Sequence, residues 1–328
     1  MDSNFQKGVD MDEMKCEVPW ETLERKVIAY YTDIWRDQRH EDYQSWLNNF
    51  RDSDRERLNA LFLLSKFIYF GNLEIKALLK AVYRDLYKYP IVEQIRINAN
   101  DTIDDLVIKR AFKQHKNETR FLGVGNPSES GVHLLYYFRQ ENKLSKEMFV
   151  NAHELFKSTY SEDDKKMVQT WADDNINHLV FIDDFCGKGS QAINYIKDVV
   201  TQVKLLRPAC EVDYFVLVAN KKGLKNVKEN TDVDRSEAIF ELDESFKCFN
   251  DHSRYFVNAV DDVDKDFCKD MCKKYGEERS ADAKSYLGFD DEELMLSFFH
   301  NTPNNTLPIF WTDKKGWYPI FSRSTKIY

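Results

Sequence analysis

The segment from His178 to Ile196 limits the possible folds of this chain more than any other part of the sequence. It begins with four apolar residues, Leu179 to Ile182, a run too short for a helix, and leads directly into two carboxylates, Asp183 and Asp184. An apolar run of this length that ends in a turn is typical of a strand buried on both faces of a parallel sheet. The segment therefore predicts an α/β fold in which a buried strand ends at an acidic pair.

The turn after this strand consists of Gly187, Lys188, Gly189 and Ser190. Beyond it, apolar residues recur at helical spacing at Ile193, Ile196, Val199, Val200 and Val203. The turn is therefore predicted to lie at a helix N-terminus, where backbone N–H groups bind anions. This combination suits a ribose 5-phosphate group. The carboxylates can accept hydrogen bonds from the ring hydroxyls, and the adjacent N–H groups can hold the phosphate. Because an acid at a strand end is also common in any doubly wound α/β domain, that interpretation stays open.

A second unit of strand, turn and helix lies upstream. Its predicted strand, Arg120 to Gly125, runs into a polar turn made of Asn126, Pro127, Ser128, Glu129, Ser130 and Gly131. Gly123 and Gly125 match part of the dinucleotide-binding pattern, but Ser128 stands where its third glycine belongs. An ordinary loop rich in turn-forming residues is the alternative interpretation.

Together, these two units resemble the type I phosphoribosyltransferases, whose signature is an apolar strand, two acids and a glycine-rich turn ending in Thr or Ser. The resemblance implies a parallel-sheet, Rossmann-like phosphoribosyltransferase domain that uses phosphoribosyl pyrophosphate or a nucleotide together with Mg²⁺. Two features depart from the family pattern. Phe185 and Cys186 leave one residue fewer than usual before Gly187, and Lys188 occupies the turn.

The resemblance also implies roles for individual residues. Asp183 and Asp184 would be the catalytic pair that binds the ribose hydroxyls. The 5′-phosphate would bind at Gly187, Lys188, Gly189 and Ser190. Pyrophosphate would bind at Asn126, Ser128, Glu129, Ser130 and Gly131.

The C-terminal part contains a loop of Asn, Thr and Pro, from His300 to Pro308, between two apolar pieces. Its amide and hydroxyl groups could bind the edge of a base, and Asn301 and Thr302 are the candidates. As a block, this segment resembles the C-terminal part of phosphoribosyltransferase-like proteins from bacterial conflict and phage-defence (retron-type) loci, whose chains also begin with a helical region. A polar loop that caps a sheet edge is the alternative.

The first hundred residues show helical patterns without a convincing strand, so residues 1–112 are predicted to form an all-α domain and residues 113–328 the α/β domain. A capping box at Ser53 to Glu56 predicts a helix that continues to Phe70. Trp35, Tyr43 and Trp46 are interpreted as exposed aromatics, which makes the helical domain a candidate docking surface for protein partners.

Other elements are predicted from their periodicity. Two helical patterns lie between Gln140 and Asn177, and a helix spans Val263 to Tyr275. Further strands are predicted at Val212 to Ala219, at Ala238 to Leu242 and at Tyr255 to Val260.

Composition narrows the class of protein. The net charge of −9 argues against general nucleic-acid binding, which needs many Lys and Arg contacts to phosphates. No segment is apolar and long enough to cross a bilayer, and the N-terminus does not read as a signal peptide, so a cytoplasmic protein is expected. The six cysteines are expected to be reduced, and neither they nor the histidines show the spacing of a metal site.

The functional hypothesis is a phosphoribosyltransferase-like effector that acts at the anomeric carbon, with a role in anti-phage defence implied by the resemblance. Two alternatives stay open. One is a non-catalytic domain that senses phosphoribosyl pyrophosphate or a nucleotide and acts through a partner. The other is a hydrolase of the glycosidic bond of a nucleotide.

Overall fold

The computed structural model of the chain describes residues 20–35, 41–125, 130–162, 165–257, 259, 262–279 and 285–323. The chain folds into two compact units, Phe70–Asp243 and a unit that combines Met1–Tyr69 with Glu244–Tyr328. This division differs from the boundary predicted at residue 112, because the chain leaves the discontinuous unit at Tyr69 and returns to it at Glu244. Periodicity along the sequence does not show such a return.

Helices and strands alternate through the middle of the chain. The α-helices are α1 (Trp20–Ala29), α2 (Glu41–Leu47), α3 (Asp54–Ser65), α4 (Asn72–Ala81), α5 (Tyr89–Asn98), α6 (Asp105–Asn117), α7 (Ser130–Asn142), α8 (Ser190–Leu206), α9 (Lys221–Asn230) and α10 (Lys265–Arg279). The strands are β1 (Ile68–Phe70), β2 (Thr119–Gly123), β3 (Phe156–Ser161), β4 (Lys166–Trp171), β5 (His178–Cys186), β6 (Glu211–Asn220), β7 (Arg235–Leu242) and β8 (Leu296–Phe298). Turns of π-helix at Tyr30–Ile34 and Val82–Lys88 continue α1 and α4. None of the helices in these described ranges is long and apolar enough to span a membrane.

A four-stranded sheet with the order β2-β5-β6-β7 forms the centre of the unit Phe70–Asp243. All three strand pairings are parallel. The central strands β5 and β6 are buried along nearly their whole length, as the apolar run in the sequence predicted. The predicted parallel-sheet α/β fold is therefore confirmed.

Apolar side chains of α8 and α9 pack against one face of this sheet. Ile196 and Val200 of α8 join Leu179 and Phe181 of β5 in one buried cluster. On α7, Phe138 contacts Phe121 of β2 with 5.1 Å between the ring centroids. Helices thus cover the strands, and backbone polar groups are exposed mainly where the strands end.

The segment between Gln140 and Asn177 was predicted to be helical, and that prediction is wrong for its second half. Strands β3 and β4 form an antiparallel hairpin in which Phe156 lies opposite Trp171. A strand predicted from Tyr255 is also wrong, because residues 255–257 form turns. The hairpin is held together by pairs of residues from two different strands. The spacing of apolar residues within one short segment, on which the helical prediction was based, does not show such pairs.

In the other unit, the aromatic residues interpreted as exposed are instead part of the core. Trp46 is 0% exposed, and its indole N–H donates to the backbone oxygen of Ile309 at 2.6 Å. Trp35 and Tyr43 are also buried. The C-terminal segment supplies ring partners for both tryptophans. Phe310 stacks on Trp46 with 5.5 Å between the ring centroids, and Phe321 contacts Trp35 edge-on at 5.5 Å.

Helix α3 begins as predicted, because the hydroxyl of Ser53 accepts a hydrogen bond from the backbone N–H of Glu56 at 3.2 Å. It ends at Ser65 rather than at Phe70. The chain then enters β1, where the backbone N–H of Ile68 donates to the oxygen of Met295 at 2.9 Å. Pairing with a distant strand overrides the local helical pattern here.

Substitution of Trp46 tests the importance of this aromatic core. Trp46→Ala should lower the free energy of unfolding by about 3–5 kcal/mol, because it leaves a cavity and removes one of the two indole hydrogen bonds to the Ile309 oxygen. Ile34→Ala, at a side chain 47% exposed in the same unit, should change it by less than about 0.5 kcal/mol. Urea denaturation followed by tryptophan fluorescence and circular dichroism would measure both. Similar effects of the two substitutions would contradict the buried role of Trp46.

Candidate functional site

The ends of β2 and β5 bring the two predicted binding turns to the same edge of the sheet. The two strands are neighbours, Gly123 lies opposite Ile182, and the N–H of Val124 donates to the oxygen of Ile182 at 3.1 Å. Because the strands are parallel, the chain leaves the sheet at the same edge after Gly123 and after Cys186. In open α/β sheets, ligands bind at this carboxyl edge.

The acidic pair lies at the end of β5, and both of its side chains are buried, with Asp183 7% and Asp184 8% exposed. Asp183 accepts hydrogen bonds from the hydroxyl of Tyr214 at 3.0 Å and from the N–H of Asp184 at 3.0 Å. Asp184 accepts one from the N–H of Phe185 at 2.9 Å. Tyr214 belongs to β6, and sequence reasoning did not select it. Its only signal in the sequence is a polar hydroxyl in a strand whose residues are mostly apolar.

Burial raises the pKa of Asp183 well above its usual range. The charge of Asp184 and a hydrogen bond between the two carboxyl groups raise it further, while the hydrogen bond from Tyr214 acts in the opposite direction. Two adjacent carboxylates in a poorly solvated place cannot both ionise easily, so the pair retains a proton that separate aspartates would lose. The pair therefore titrates as a unit.

The turn after β5 has the backbone that its glycines predicted. Gly189 has a φ of +83°, and a Cβ atom there would lie 2.8 Å from the backbone oxygen of Gly223. Helix α8 begins immediately afterwards at Ser190 and runs for 17 residues. Ser190 and Lys188 are exposed, while Asn226 of α9 donates to the backbone oxygen of Lys188 at 2.8 Å. The first N–H groups of α8 thus lie directly after the acidic pair, as an anion site requires.

The turn after β2 is described only in part. Asn126, Ser128 and Glu129 lie outside the described residues, so their predicted binding of pyrophosphate stays a prediction. Ser130 begins α7. Gly131 lies so close to the end of β2 that a Cβ atom would collide with the backbone oxygen of Val124. This close approach explains the glycine at position 131 without a ligand.

Cys186 lies inside the site but is not a nucleophile. The side chain is buried, and burial followed by the charge of Asp183 raises the pKa of its thiol to about 12. A thiol that keeps its proton reacts poorly. This environment is that of a cysteine packed in the core.

Asn301 and Thr302 belong to the other compact unit. Thr302 is fully buried, donates its hydroxyl to the backbone oxygen of Ser322 at 2.8 Å and shares a second 2.8 Å hydrogen bond with Ser297. The side-chain oxygen of Asn301 accepts from the N–H of Thr302 at 3.0 Å. These bonds give both residues a structural role, and base binding by them stays a prediction.

The donor atoms at the sheet edge fit the Mg²⁺ ion that the resemblance implies. Asp183 and Asp184 offer hard carboxylate oxygens, and among the described residues no third His, Cys, Asp or Glu joins them in a cluster of ligands. Mg²⁺ in proteins often takes one or two carboxylates and completes its shell with water and substrate phosphates. The acidic pair would therefore hold the ion only together with a phosphorylated ligand.

Comparison with known proteins gives one match to a family. The family model described as PRTase-CE matches residues 43–323 of the chain. Among solved structures, the AQ2163 protein from Aquifex aeolicus matches over 62% of this chain and 84% of its own, with 13% sequence identity and a TM-score of 0.27. A similarity this low supports no argument about the site. None of the curated proteins matches the chain.

The pH dependence of stability tests the buried acidic pair. Because the raised pKa of Asp183 keeps its proton bound in the folded chain, the free energy of unfolding should fall as pH rises above about 4, where unfolded aspartate ionises. Asp183→Asn removes this pH-dependent loss of stability. The free energy of unfolding of the variant minus that of wild type should therefore increase between pH 4 and pH 8. Urea denaturation at several pH values would measure it. An equal pH-dependent gain for Asp198→Asn, at an exposed position of α8, would contradict the explanation.

Proposed function

The chain belongs to the PRTase-CE family, and we propose that it binds the phosphoribosyl group of phosphoribosyl pyrophosphate or of a nucleotide and catalyses displacement at its anomeric carbon, where an incoming base, pyrophosphate or water forms the new bond as pyrophosphate or the base leaves. The family match supports a function of the phosphoribosyltransferase type. The bound group would lie at the carboxyl edge of the four-stranded sheet. In this arrangement the acidic pair binds the ribose, and the N-terminus of α8 binds the 5′-phosphate.

One observation carries the proposal, namely that the acidic pair and the start of α8 adjoin each other at the end of a buried strand. Only three residues, Gly187, Lys188 and Gly189, separate the end of β5 from Ser190. A carboxylate accepts a hydrogen bond from a hydroxyl group, whereas a helix N-terminus binds an anion. A ribose 5-phosphate carries both groups within one small molecule.

The reaction needs little covalent chemistry from the protein. As the bond to the leaving group lengthens, positive charge develops on the sugar ring, and the negative charge of the acidic pair stabilises it. Backbone N–H groups of α8 hold the 5′-phosphate and so orient the ring. Mg²⁺, when bound with the ligand, would offset the charge of the pyrophosphate. Neither Cys186 nor any other described thiol is required as a nucleophile.

A second candidate is a sensor that binds the same ligand without turning it over. Each oxygen of Asp183 already accepts one hydrogen bond from the protein, from Tyr214 or from the Asp184 N–H, which leaves fewer acceptor positions for a ligand and favours this alternative. Ribose hydroxyls would then compete with groups of the protein itself. The turn after β5 also favours the sensor, because it is shorter than the family pattern and contains Lys188.

The biological role we propose is anti-phage defence. The support is the resemblance of the N-terminal helices and of the C-terminal block to proteins from phage-defence loci. Protein partners would belong to the same defence system. Plaque counts on host cells that carry the wild-type or an inactive variant would test the role, and equal counts would exclude it.

Removal of one charge from the acidic pair tests the proposed site. Asp184→Asn should lower turnover by about 10²-fold, the usual effect of losing one preorganised electrostatic partner. Asp198→Asn, an identical change at an exposed position of α8, should leave turnover unchanged. The assay would incubate phosphoribosyl pyrophosphate, Mg²⁺ and a panel of bases and nucleotides with each protein and identify products by mass spectrometry.

The outcomes separate the hypotheses. Products from wild type and loss of products in Asp184→Asn would support the transferase or hydrolase activity, and the product would tell which. Ligand binding by calorimetry without any product would support the sensor. If wild type neither binds nor converts any phosphoribosyl compound, the proposed function is wrong.

Lys188 tests how the phosphate is held. If backbone N–H groups of α8 provide most of the binding, Lys188→Ala should weaken binding of ribose 5-phosphate by less than about tenfold, a loss of about 1.4 kcal/mol. The reason is that an exposed ammonium group interacts weakly through water. Calorimetry at low and high salt would measure the effect. A much larger loss would show that the ammonium group has taken over phosphate binding.

A further inference from the structure

A second cluster of polar side chains lies at the opposite end of the same sheet. His178 is the first residue of β5, Glu211 is the first residue of β6, and His115 lies in the last turn of α6. Asp183 follows His178 by five strand residues, which corresponds to about 16 Å. The cluster is therefore separate from the acidic pair.

The three side chains are close enough to share one ion. One ligand atom from each of His115, His178 and Glu211 lies within 4.8 Å of the others. The Nε2 atom of His115 and the Nδ1 atom of His178 are 3.0 Å apart. Two imidazole nitrogens bound to the same tetrahedral Zn²⁺, each about 2.05 Å from it, lie about 3.3 Å apart. The two rings thus already have nearly the separation that a shared ion requires.

The other nitrogen of His178 has the partner that a metal-binding histidine usually has. Its Nε2 atom lies 2.8 Å from a carboxylate oxygen of Asp213, and both side chains are at least 98% buried. Arg235 binds both oxygens of Asp213 and donates to the backbone oxygen of Leu86 at 3.0 Å. Such a carboxylate orients the ring and makes its free nitrogen a better ligand. Tyr87 stacks on His178 with 5.8 Å between the ring centroids and limits rotation of the ring.

We propose that His115, His178 and Glu211 form a Zn²⁺ site that joins α6 to the amino ends of β5 and β6. Two imidazoles and one carboxylate form a ligand set that Zn²⁺ uses in proteins, with water in the fourth position. His178 is the rigid ligand. Glu211 is exposed, so its carboxylate can turn towards the ion.

Binding of the ion displaces the proton that lies between the two rings. Without metal, the 3.0 Å contact between the rings needs one N–H group and one lone pair, whichever ring donates. With metal, both nitrogens use their lone pairs for the ion, so the proton between them leaves to solvent or to another ring nitrogen. No oxidation or reduction takes place.

The His178–Asp213–Arg235 network also has a role without metal, because it gives the buried carboxylate of Asp213 hydrogen-bond partners from two neighbouring strands. In that role Asp213 is bound by His178 and Arg235, not by the carboxylate of Glu211 or by His115, whose Nε2 atom contacts His178 at 3.0 Å. These two groups are therefore the ones that a test should change, since substitution of His178 would leave Asp213 without a buried partner.

The test is a titration of the untagged, chelator-treated full-length protein with Co²⁺, followed by displacement with Zn²⁺. Wild type should bind one equivalent of Co²⁺, show the strong visible absorption of tetrahedral coordination, and melt at a higher temperature with Zn²⁺. His115→Ala should weaken binding at least tenfold and remove the absorption. Glu211→Ala should weaken binding less, because water can replace its carboxylate.

Two controls make the result specific. His252→Ala removes an exposed histidine of the other unit, and Asp184→Asn changes the acidic pair, so both should bind Co²⁺ as wild type does. The proposal is wrong if wild type shows no tetrahedral absorption, or if His115→Ala binds as tightly as wild type while remaining folded by circular dichroism. Because neither readout uses phosphoribosyl compounds, failure here leaves the proposed function untouched.

Discussion

The register between β5 and β6 is the constraint on which both ends of the sheet depend. Phe181 lies opposite Tyr214, which places the hydroxyl of Tyr214 within hydrogen-bond distance of Asp183 at the carboxyl end. The same register puts His178 opposite Glu211 at the amino end. A slip by one residue would turn every side chain of one strand to the other face and would abolish both arrangements. The backbone pairing of two buried strands thus positions two separate sets of polar groups.

Burial of the acidic pair opposes folding, and the surrounding structure compensates only in part. Desolvation disfavours the charge on Asp183, while Tyr214 and the backbone of Asp184 supply hydrogen bonds. Buried polar groups that lower the stability of the fold are frequent at functional sites, because activity there can require an arrangement that is not the most stable one. The buried cluster between the sheet and α8, by contrast, contains apolar residues such as Val216 and Ile196. The contrast sets the end of β5 apart from the core around it.

The candidate site could be predicted from the sequence where it depends on neighbours along the chain. Strand β5, the acidic pair, Gly189 and the start of α8 follow one another within thirteen residues, so composition and spacing suffice. Tyr214 could not be found in this way, because a strand pairing brings it to Asp183 from 31 residues away. The same holds for His115 and His178, which are 63 residues apart. Hydrogen bonds between distant residues leave no periodic signal.

By itself, the sequence determined the class of fold, the buried central strands, the cap of α3 at Ser53 and the turn that follows the acidic pair. These features depend on interactions within one helix, strand or turn, or on burial, which a run of apolar residues indicates directly. Only the tertiary structure decided that the segment Phe156–Trp171 forms a hairpin and that Trp46 is buried against Phe310. In each case the deciding contact joins segments that are separate in the chain. The free energy of such a contact is larger than the differences in helix and strand propensity between residues, which are a fraction of a kcal/mol per residue.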